Sequence, residues 1–450
     1  MTKVLRLSLV GFCLSLSCHA APAPKVAWSY QAGGAKHDKI RALAVDDKGN
    51  TFITGEFTEA ADFGVAKVAA VGGLDFVIAK LDVRGQPVWV STAGGDKIDR
   101  GYAVAVARDG GVYVTGHFQS ATITFGDTTL HNRGDYDVFV VKYDAAGRPV
   151  WARSAGGKAY DFGHGIAVTP SGDVLVSGAI RAEGDFGEGH PTAPGNVGPF
   201  VACYTADGDL RWTRCMTGKG GGSGHEIAVD GNGAAFLGGY FSGTTELGGR
   251  TLKVTKGRDL FAARLNADGA VDWVFQGGGA ADGLVSGIAA DGHGGCYIGG
   301  MFKATARFGE QSFTSAGDND FFLAGIGADG HARWAVSAGG KGIDYGLGVA
   351  SDAAGNALLT GETTGDVRLL DHSFRAIGKR DLYAAKFNPD GKLIWAWQAG
   401  GTLNGLSYAA GCGPRGLNVI AGAFSGDLSV GGKKLVSRGS NDIIVVGLQD

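Results

Sequence analysis

The sequence predicts an all-β protein built from seven repeats of one unit. Seven tryptophans recur at a nearly constant spacing along the chain: Trp28, Trp89, Trp151, Trp212, Trp273, Trp334 and Trp395. Two glycines follow each tryptophan at fixed positions in all seven copies, as Gly49 and Gly55 follow Trp28. The apolar runs between these landmarks are short, and none has the periodicity of an amphipathic helix. A long fixed period filled with strand-sized segments is typical of a β repeat architecture.

The first half of each repeat predicts a hairpin of two strands, A and B. In the second repeat an Ala-Gly-Gly run at 93–95 precedes a short apolar segment at 102–106, which we assign to strand A. Gly110 follows, at a turn that requires a positive φ, and glycine adopts that conformation most easily. Strand B occupies 112–115 and ends at Gly116, where we expect no larger side chain to fit.

The second half of each repeat predicts strands C and D. A long connection joins B to C, usually with Phe-Gly in the middle, as at 125–126, and we expect it to form a small hairpin. Strand C opens with an aspartate such as Asp137 in six copies, whereas the third copy has Gly198. A turn glycine such as Gly147 leads into strand D, which carries the next tryptophan. Four antiparallel strands per repeat describe one blade of a β-propeller.

The frame of the repeat is offset from the chain. The repeat pattern begins with a lone strand D at 26–31 and finishes with strands A, B and C between 406 and 448. We therefore predict a single seven-bladed β-propeller domain over 21–450, with its ring closed by the N-terminal strand, which completes the C-terminal blade. This closure would leave no unpaired sheet edge where the two ends of the chain meet.

Three repeated residue types are interpreted as structural. Each tryptophan is expected to lie between neighbouring blades, where its large apolar area is buried. The aspartate that opens strand C is expected to accept hydrogen bonds from turn amides, with a repeated calcium site as the alternative. Four aspartates of the D to A connections are expected to hold their own loops: Asp38, Asp99, Asp161 and Asp344.

The N-terminus predicts export. Lys3 and Arg6 precede an apolar stretch at 7–16, and small residues follow up to Ala20. This pattern is typical of a secretory signal peptide over 1–20, and it places the mature protein in the periplasm, outside the cell or at the cell surface. Cys18 leaves a lipidated N-terminus as an alternative. No apolar stretch reaches the roughly 20 residues that a transmembrane helix needs.

Composition and charge argue against nucleic acid as a partner, and they leave open whether the cysteines form disulfides. A net charge of −3 and a pI near 6.4 do not indicate a surface that binds nucleic acid, because such a surface needs clustered Lys and Arg. Export would permit disulfides among the four cysteines that remain after cleavage. Cys203 and Cys215 flank one predicted hairpin diagonally, so that buried free thiols are favoured over a bond between them.

Several stretches resemble a known family. They are the string Trp-Ala-Arg-Ser-Ala-Gly-Gly at 151–157, the pattern Asp-x-x-Gly-Asn at 46–50 and 352–356, and Asp-x-Phe-Val-x-Lys at 137–142. They resemble the bacterial seven-bladed β-propeller repeat family (SBBP repeat), and the likeness recurs in all seven units. It implies an exported or surface repeat protein without an assigned activity, and one fold hosts many functions. The longer B to C segment of this chain departs from that family.

Two positions of the repeat vary in chemistry and are the candidates for function. At the start of strand A the seven copies read Arg41, Tyr102, His164, His225, Ser286, Leu347 and Tyr408. Just past the strand B glycine they read Glu56, His117, Ala179, Tyr240, Met301, Glu362 and Ala423. On a symmetric hairpin the two positions would face each other as cross-strand pairs at the rim of the central channel. Arg41 would then meet Glu56.

The sequence favours a binding or scaffold module, more than an enzyme, that recognises a protein, peptide or glycan at the channel face. The expected ligand-binding residues are Arg41, Glu56, Tyr102, His117, His164, His225, Tyr240, Glu362 and Tyr408. The alternative is a metal- or histidine-dependent lyase or hydrolase in which His117, His164 and His225 share a divalent metal or proton transfer, because neutral imidazoles suit such an ion. No cofactor is otherwise expected, and neither is an oligomer. The identity of the ligand stays open.

Overall fold

The computed structural model describes residues 23–181, 184–187, 198–254, 256–279 and 282–450. The predicted signal peptide, with Lys3, Arg6 and Cys18, lies outside these residues. Within them the strands form seven four-stranded antiparallel sets, which we call sheets 1 to 7, each in the order A-B-C-D. Sheet 4 is joined to sheet 5 in one larger sheet by a short pairing of the D strand with an extension of the next B strand. The expected all-β class is confirmed.

The strand bounds follow the repeat. Sheet 1 comprises Lys39–Val45, Thr51–Phe57, Asp75–Leu81 and Pro87–Ala93. Sheet 2 comprises Asp99–Val106, Val112–Phe118, Asp137–Tyr143 and Pro149–Ala155. Sheet 3 comprises Phe162–Val168, Val174–Ile180, Gly198–Tyr204 and Leu210–Cys215. Sheet 4 comprises Gly222–Val229, Ala235–Phe241, Asp259–Leu265 and Val271–Gly279.

The remaining sheets have the same plan. Sheet 5 comprises Gly283–Ala290, Cys296–Phe308, Gln311–Ile326 and Ala332–Ala338. Sheet 6 comprises Tyr345–Ser351, Ala357–Thr363, Asp381–Phe387 and Leu393–Ala399. Sheet 7 comprises Gly405–Cys412, Leu417–Phe424, Asp442–Gln449 and, as its D strand, Lys25–Gly34. Among the described residues the helical content is a single 3-10 turn, Pro414–Gly416.

The B to C connections form the small hairpins that the sequence predicts. Five are separate hairpins: Ala60–Asp62 with Lys67–Ala69, Thr122–Phe125 with Thr128–His131, Thr244–Leu247 with Arg250–Lys253, Val367–Leu369 with His372–Phe374, and Asp427–Val430 with Lys433–Val436. In sheet 5 the long B and C strands continue into the hairpin. A short strand, Thr217–Gly218, pairs with the hairpin of sheet 4. Most of the corresponding connection of sheet 3 lies outside the described residues.

The A strands of successive sheets are in contact. Each A strand contacts the A strand of the sheets before and after it, and the A strand of sheet 7 contacts that of sheet 1. Strand B is buried along its whole length in most sheets, as in Val112–Phe118, because it lies in the middle of its sheet with a neighbouring sheet on each face. This explains why its first residues are consecutively apolar, as at 112–114. The arrangement fits a β-propeller.

The N-terminal strand belongs to the last sheet of the chain. Lys25–Gly34 pairs antiparallel with Asp442–Gln449, with Trp28 opposite Gly447. Apolar side chains of sheets 7 and 1 then share one cluster, which includes Val445 and Ile53. The two ends of the sequence therefore contribute to one sheet and to one core.

The tryptophans lie between neighbouring sheets, as predicted. Trp89 of sheet 1 donates from Nε1 to the Ala145 carbonyl oxygen of sheet 2 at 3.2 Å, and Trp273 bonds Ala328 in the same way at 3.0 Å. The indole of Trp89 packs on Gly147, whose φ is +80° and where a Cβ would lie 2.6 Å from the ring. The glycine of the C to D turn is therefore required twice, by its backbone conformation and by the tryptophan.

The predicted roles of the strand C aspartates are confirmed. The Asp75 carboxylate accepts a hydrogen bond from the Val71 amide at 2.6 Å, and Asp442 accepts one from the Arg438 amide at 2.9 Å. Such bonds hold the turn that precedes strand C. No group of three His, Cys, Asp or Glu side chains in the described part of the chain could hold a metal ion, so the repeated calcium site is not formed.

The described cysteines are free thiols: Cys203, Cys215, Cys296 and Cys412. Cys203 lies opposite Trp212 and Cys215 opposite Phe200, so the two are not cross-strand partners. In the described residues no helix has the length and apolar character required to cross a membrane.

Candidate functional site

A β-bulge interrupts every A strand at the variable position of the repeat. The register between strands A and B shifts across one residue in each sheet, for example between Gly101 and Ala103. The seven residues at the shift are Arg41, Tyr102, His164, His225, Ser286, Leu347 and Tyr408. A bulge places two residues against one on the partner strand and re-aims a side chain. We call these seven the bulge residues.

The predicted cross-strand pairing is wrong in register. Glu56 lies opposite Lys39 rather than Arg41, and His117 lies opposite Arg100 rather than Tyr102. The displacement has two sources, the A to B turn, which is not symmetric about its glycine, and the bulge itself. Tyr240 likewise lies opposite Ser223.

The bulge residues converge on one cavity. A cavity of about 360 Å³ lies between the A strands, and all seven bulge side chains contribute to its lining. We call this cavity the channel. Leu43, Val104 and Ile288 form part of the apolar wall, and Glu226 adds a carboxyl group. Volumes of roughly 300–1,000 Å³ with a few polar groups in an apolar lining are typical of small-molecule sites.

The strand B candidates lie farther from the axis, and three of them still contact their bulge residue. Arg41 donates from Nε and Nη2 to the Glu56 carboxylate at 2.6 and 2.7 Å, and the Glu56 side chain is 1% exposed. The ring centroids of Tyr102 and His117 are 4.7 Å apart. Those of His225 and Tyr240 are 5.8 Å apart. The bulge moves the backbone register but leaves these side-chain contacts in place.

The fourth charged or aromatic candidate on strand B has a different partner. Glu362 accepts a hydrogen bond from Arg380 at 2.5 Å, and no bulge residue takes part in that pair. The charge of the Glu362 carboxylate is therefore compensated by Arg380, which directly precedes strand C of sheet 6, and not by a residue that lines the channel.

Aromatic and cationic groups alternate around part of the channel. The Arg41 guanidinium lies 4.4 Å from the centroid of Tyr102, and the Lys39 ammonium lies 3.8 Å from that of Tyr408. Burial is the main cause that lowers the pKa of Lys39 to about 8. Cations over tyrosine rings are stabilising contacts, so these pairs help to fix the side chains on this side of the channel.

The histidines line one side of the channel. The rings of Tyr102 and His164 are 5.1 Å apart and those of His164 and His225 are 4.8 Å apart. His164 Nδ1 lies 3.0 Å from Ser223 Oγ. Burial lowers the pKa of His164 well below its usual value and that of His225 to about 4, so both imidazoles are neutral at pH 7.

The three histidines do not form the predicted shared metal site. His117 is 2% exposed and packs against Tyr102, Tyr136 and Phe162, whose rings lie 4.7, 5.1 and 4.9 Å from its own. No group of three metal-ligating side chains is arranged for an ion in the described residues. The physical reason is packing: aromatic rings occupy the space around His117, on the strand B side of Tyr102.

A carboxyl group in the channel wall is uncharged at neutral pH. Burial raises the pKa of Glu226 to about 8. The Ile227 amide, which donates a hydrogen bond to this carboxyl group, has a smaller opposite effect on the pKa. Glu226 follows His225 directly in the sequence, and both residues line the channel. Displaced pKa values of this kind occur at functional sites, and a structural origin is the other explanation.

The four aspartates of the D to A connections hold loops, as predicted. Asp161 accepts hydrogen bonds from the Gly157 amide at 2.8 Å and from the Arg181 amide at 2.7 Å. Asp38, Asp99 and Asp344 are equally buried and have the same pattern of bonds. Their carboxylates face backbone amides rather than the channel.

Sequence reasoning missed a second cavity, which we call the side cleft. It has a volume of about 640 Å³ and adjoins the channel, with which it shares Tyr102 and His164. Its other walls include Tyr136 and Tyr160, each directly before a repeated aspartate. Those two positions also vary among the repeats, and that variation is the signal that could have revealed them.

Comparison with known proteins gives short or remote matches. No protein-family model matches the chain. The regulatory protein FlaEY of Caulobacter vibrioides is 30% identical over 138 residues, 29% of this chain and 14% of that protein. An uncharacterized WD repeat-containing protein of Acanthamoeba polyphaga mimivirus is 23% identical over 155 residues, 31% of this chain and 11% of that protein. The structure of Sqt1 from Chaetomium thermophilum has a TM-score of 0.40 at 11% identity, over 93% of this chain and 85% of that chain. The chain thus spans only a small part of the length of either curated relative.

Proposed function

We propose that the protein is an exported, monomeric, seven-bladed β-propeller that acts as a binding or scaffold module. In this proposal each sheet is one blade, and the ring is closed by Lys25–Gly34 in the blade of sheet 7. The pairing of that strand with Asp442–Gln449 and the circuit of A strand contacts support closure. The resemblance to the SBBP repeat family supports export and a surface or periplasmic location.

One observation carries the binding function. The seven bulge side chains share a backbone position and one cavity, yet they differ in charge, size and polarity. A position with a purely structural role would repeat its chemistry as the tryptophans do, whereas a binding site needs an asymmetric lining. The ligand is a protein, peptide or glycan with a group that enters the channel.

The test is a thermal-shift screen of the mature protein with glycans, peptides and divalent ions, followed by calorimetry on any hit. Tyr102→Ala and Tyr408→Ala are expected to weaken binding at least about tenfold, whereas single His117→Gln, His164→Gln and His225→Gln variants keep it. Val436→Ala, exposed on an outer hairpin, is the matched control. Binding that no bulge variant changes would overturn the location of the site.

The second candidate is a histidine-dependent hydrolase or lyase. The contact of 3.0 Å between His164 Nδ1 and Ser223 Oγ favours it, because a neutral imidazole can take the proton of a hydroxyl that attacks an acyl carbon. Glu226 could supply a proton at neutral pH. A panel of aryl esters and elemental analysis test it: turnover that is lost in both Ser223→Ala and His164→Gln would establish the enzyme, and no turnover with any ester would dismiss the hydrolase.

A further inference from the structure

The side cleft is lined by aromatic rings that stack on one another. Tyr136 and Tyr160 have centroids 5.7 Å apart, Tyr160 and Phe162 are 6.3 Å apart, and Phe162 lies 5.7 Å from His164 with an angle of 5° between their planes. Tyr160 directly precedes the strand that carries Phe162 and His164, and the ring contacts bring the three side chains into one row. Tyr160 remains 41% exposed. An apolar face of this kind, open at a cleft, is typical of a ligand platform.

The same cleft is cationic. Arg100 and Arg181 belong to its lining, and no aspartate or glutamate of the described chain does. The Arg181 guanidinium lies 5.4 Å from the ring of Tyr160. A guanidinium presents donors in a planar fork that matches a carboxylate. The cleft therefore favours an anion over a neutral or cationic ligand.

Two buried polar atoms in the cleft wall lack partners. Arg100 Nε and His117 Nδ1 have no hydrogen-bond partner among the described residues, and His117 is 2% exposed. Buried polar atoms are nearly always hydrogen-bonded, so these two are available to a group that binds in the cleft. Arg100 and His117 are direct cross-strand neighbours, so both atoms belong to one patch of the wall.

Hydroxyl groups complete the lining. Tyr102, Tyr136, Tyr160 and Tyr240 contribute phenols, and Ser242 adds an aliphatic hydroxyl. Phenols both donate and accept hydrogen bonds, while their rings offer apolar faces. A ligand with its own hydroxyls around an apolar ring face would satisfy both kinds of surface.

We propose that the side cleft binds a carboxylated saccharide, with a sugar ring against the exposed part of Tyr160 and its carboxylate bound by Arg100. This inference rests on the proposed binding function, for which it names the ligand class and moves the contact from the channel axis to the cleft between sheets 2, 3 and 4. An aromatic carboxylate shares the ring and the charge but lacks the hydroxyls, so it is the competing ligand in the test.

The test is calorimetry of the mature full chain with three probes: trigalacturonate, its methyl ester and benzoate. We expect trigalacturonate to bind, the ester to bind at least about tenfold more weakly because its charge is lost, and benzoate to bind weakly or not at all. Equal binding of the ester, tight binding of benzoate alone, or no binding of trigalacturonate would each overturn the inference.

Three variants and a control test whether trigalacturonate binds in the side cleft or in the channel. Arg100→Gln and Tyr160→Ala are expected to weaken trigalacturonate binding at least about tenfold, and Arg368→Gln, on an outer hairpin, is the matched control. Tyr160 is exposed, so its variant is expected to fold even if Arg100→Gln does not. Leu347→Trp narrows the channel on the side away from the cleft.

The two proposals fail differently. Loss of trigalacturonate binding in Leu347→Trp, with binding unchanged in both cleft variants, would place the saccharide in the channel, so that the proposed function stands and the cleft assignment falls. A full screen without any ligand would count against the proposed function itself.

Discussion

The contacts between neighbouring sheets and the wall of the channel are built from the same repeat but follow opposite rules. Between sheets, a tryptophan meets the turn glycine of the next sheet in one copy after another, as Trp89 meets Gly147 and Trp273 meets Gly330. At the channel, the seven bulge residues are of five different amino-acid types. The comparison teaches that positions which repeat support the fold, and that positions which share only backbone geometry are free for function.

The largest expected effect is at the sheet interface. Trp273 is 7% exposed and bonds Ala328, so Trp273→Ala is expected to lower the free energy of unfolding by about 3 to 5 kcal/mol. Leu347→Ala, at a bulge, is expected to cost much less. Urea denaturation of both variants measures the difference, and equal costs would break the comparison.

The next largest effect concerns Arg41, a bulge residue that forms a buried ion pair with Glu56. Glu56→Gln leaves the Arg41 guanidinium without a charged partner, and we expect a loss of about 3 kcal/mol. The double variant Arg41→Leu with Glu56→Leu removes both charges and is expected to recover most of that loss. A double variant as unstable as the single one would show that the pair is structural in its own right.

Two glycine variants separate the cost of backbone strain from the cost of a clash with the tryptophan. Gly147→Ala meets Trp89 at a positive φ, and we expect it to cost about 2 kcal/mol or more. Gly292 has a φ of +77° with open space around it, so Gly292→Ala reports the strain alone, about 1 kcal/mol. The difference in melting temperature between the two variants measures the contact with the indole.

The smallest expected effect is a dependence of stability on pH that arises from titratable groups in the channel wall. Because the folded state raises the pKa of Glu226 from 4.5 to about 8, it holds a proton that the unfolded chain releases between those values. Stability therefore falls as pH rises through this window, on the order of 1 kcal/mol after allowance for the open channel. Glu226→Gln should be the more stable protein at pH 8.

The opposite sign is expected for His225. Its pKa is lowered to about 4, so between about pH 4 and 6.5 the unfolded chain binds a proton that the folded state excludes. Stability contributed by this group rises with pH across that window. Wild type should gain stability relative to His225→Gln between pH 5 and pH 7, measured by denaturation at both values; a constant difference would contradict the burial of the imidazole.

Much of the fold could be predicted because its signals repeat. Seven spaced tryptophans and two glycines per copy indicated the strands, the turns and the place of the N-terminal strand in the last sheet. The hairpins in the B to C connections followed from the same pattern. Only averaging over copies makes such weak local signals dependable.

The candidate site was harder because its geometry depends on single residues. The bulge at Tyr102 shifts the register, and no count along the sequence shows it. The small residues beside it, Gly101 and Ala103, are the only local sign. The side cleft requires Tyr136 and Tyr160 to meet across two sheets, which depends on how the sheets pack rather than on the repeat.

The pairing of Lys25–Gly34 with Asp442–Gln449 also has a consequence for biosynthesis. The strand made first finds its partner only after nearly the whole of the chain has been added, which at ribosomal rates of roughly 5–20 residues per second is on the order of tens of seconds. Until then sheet 7 lacks its outer strand, and an unpaired strand is a target for aggregation. Slow elongation would therefore harm this chain more than a protein whose neighbours in sequence are its neighbours in space.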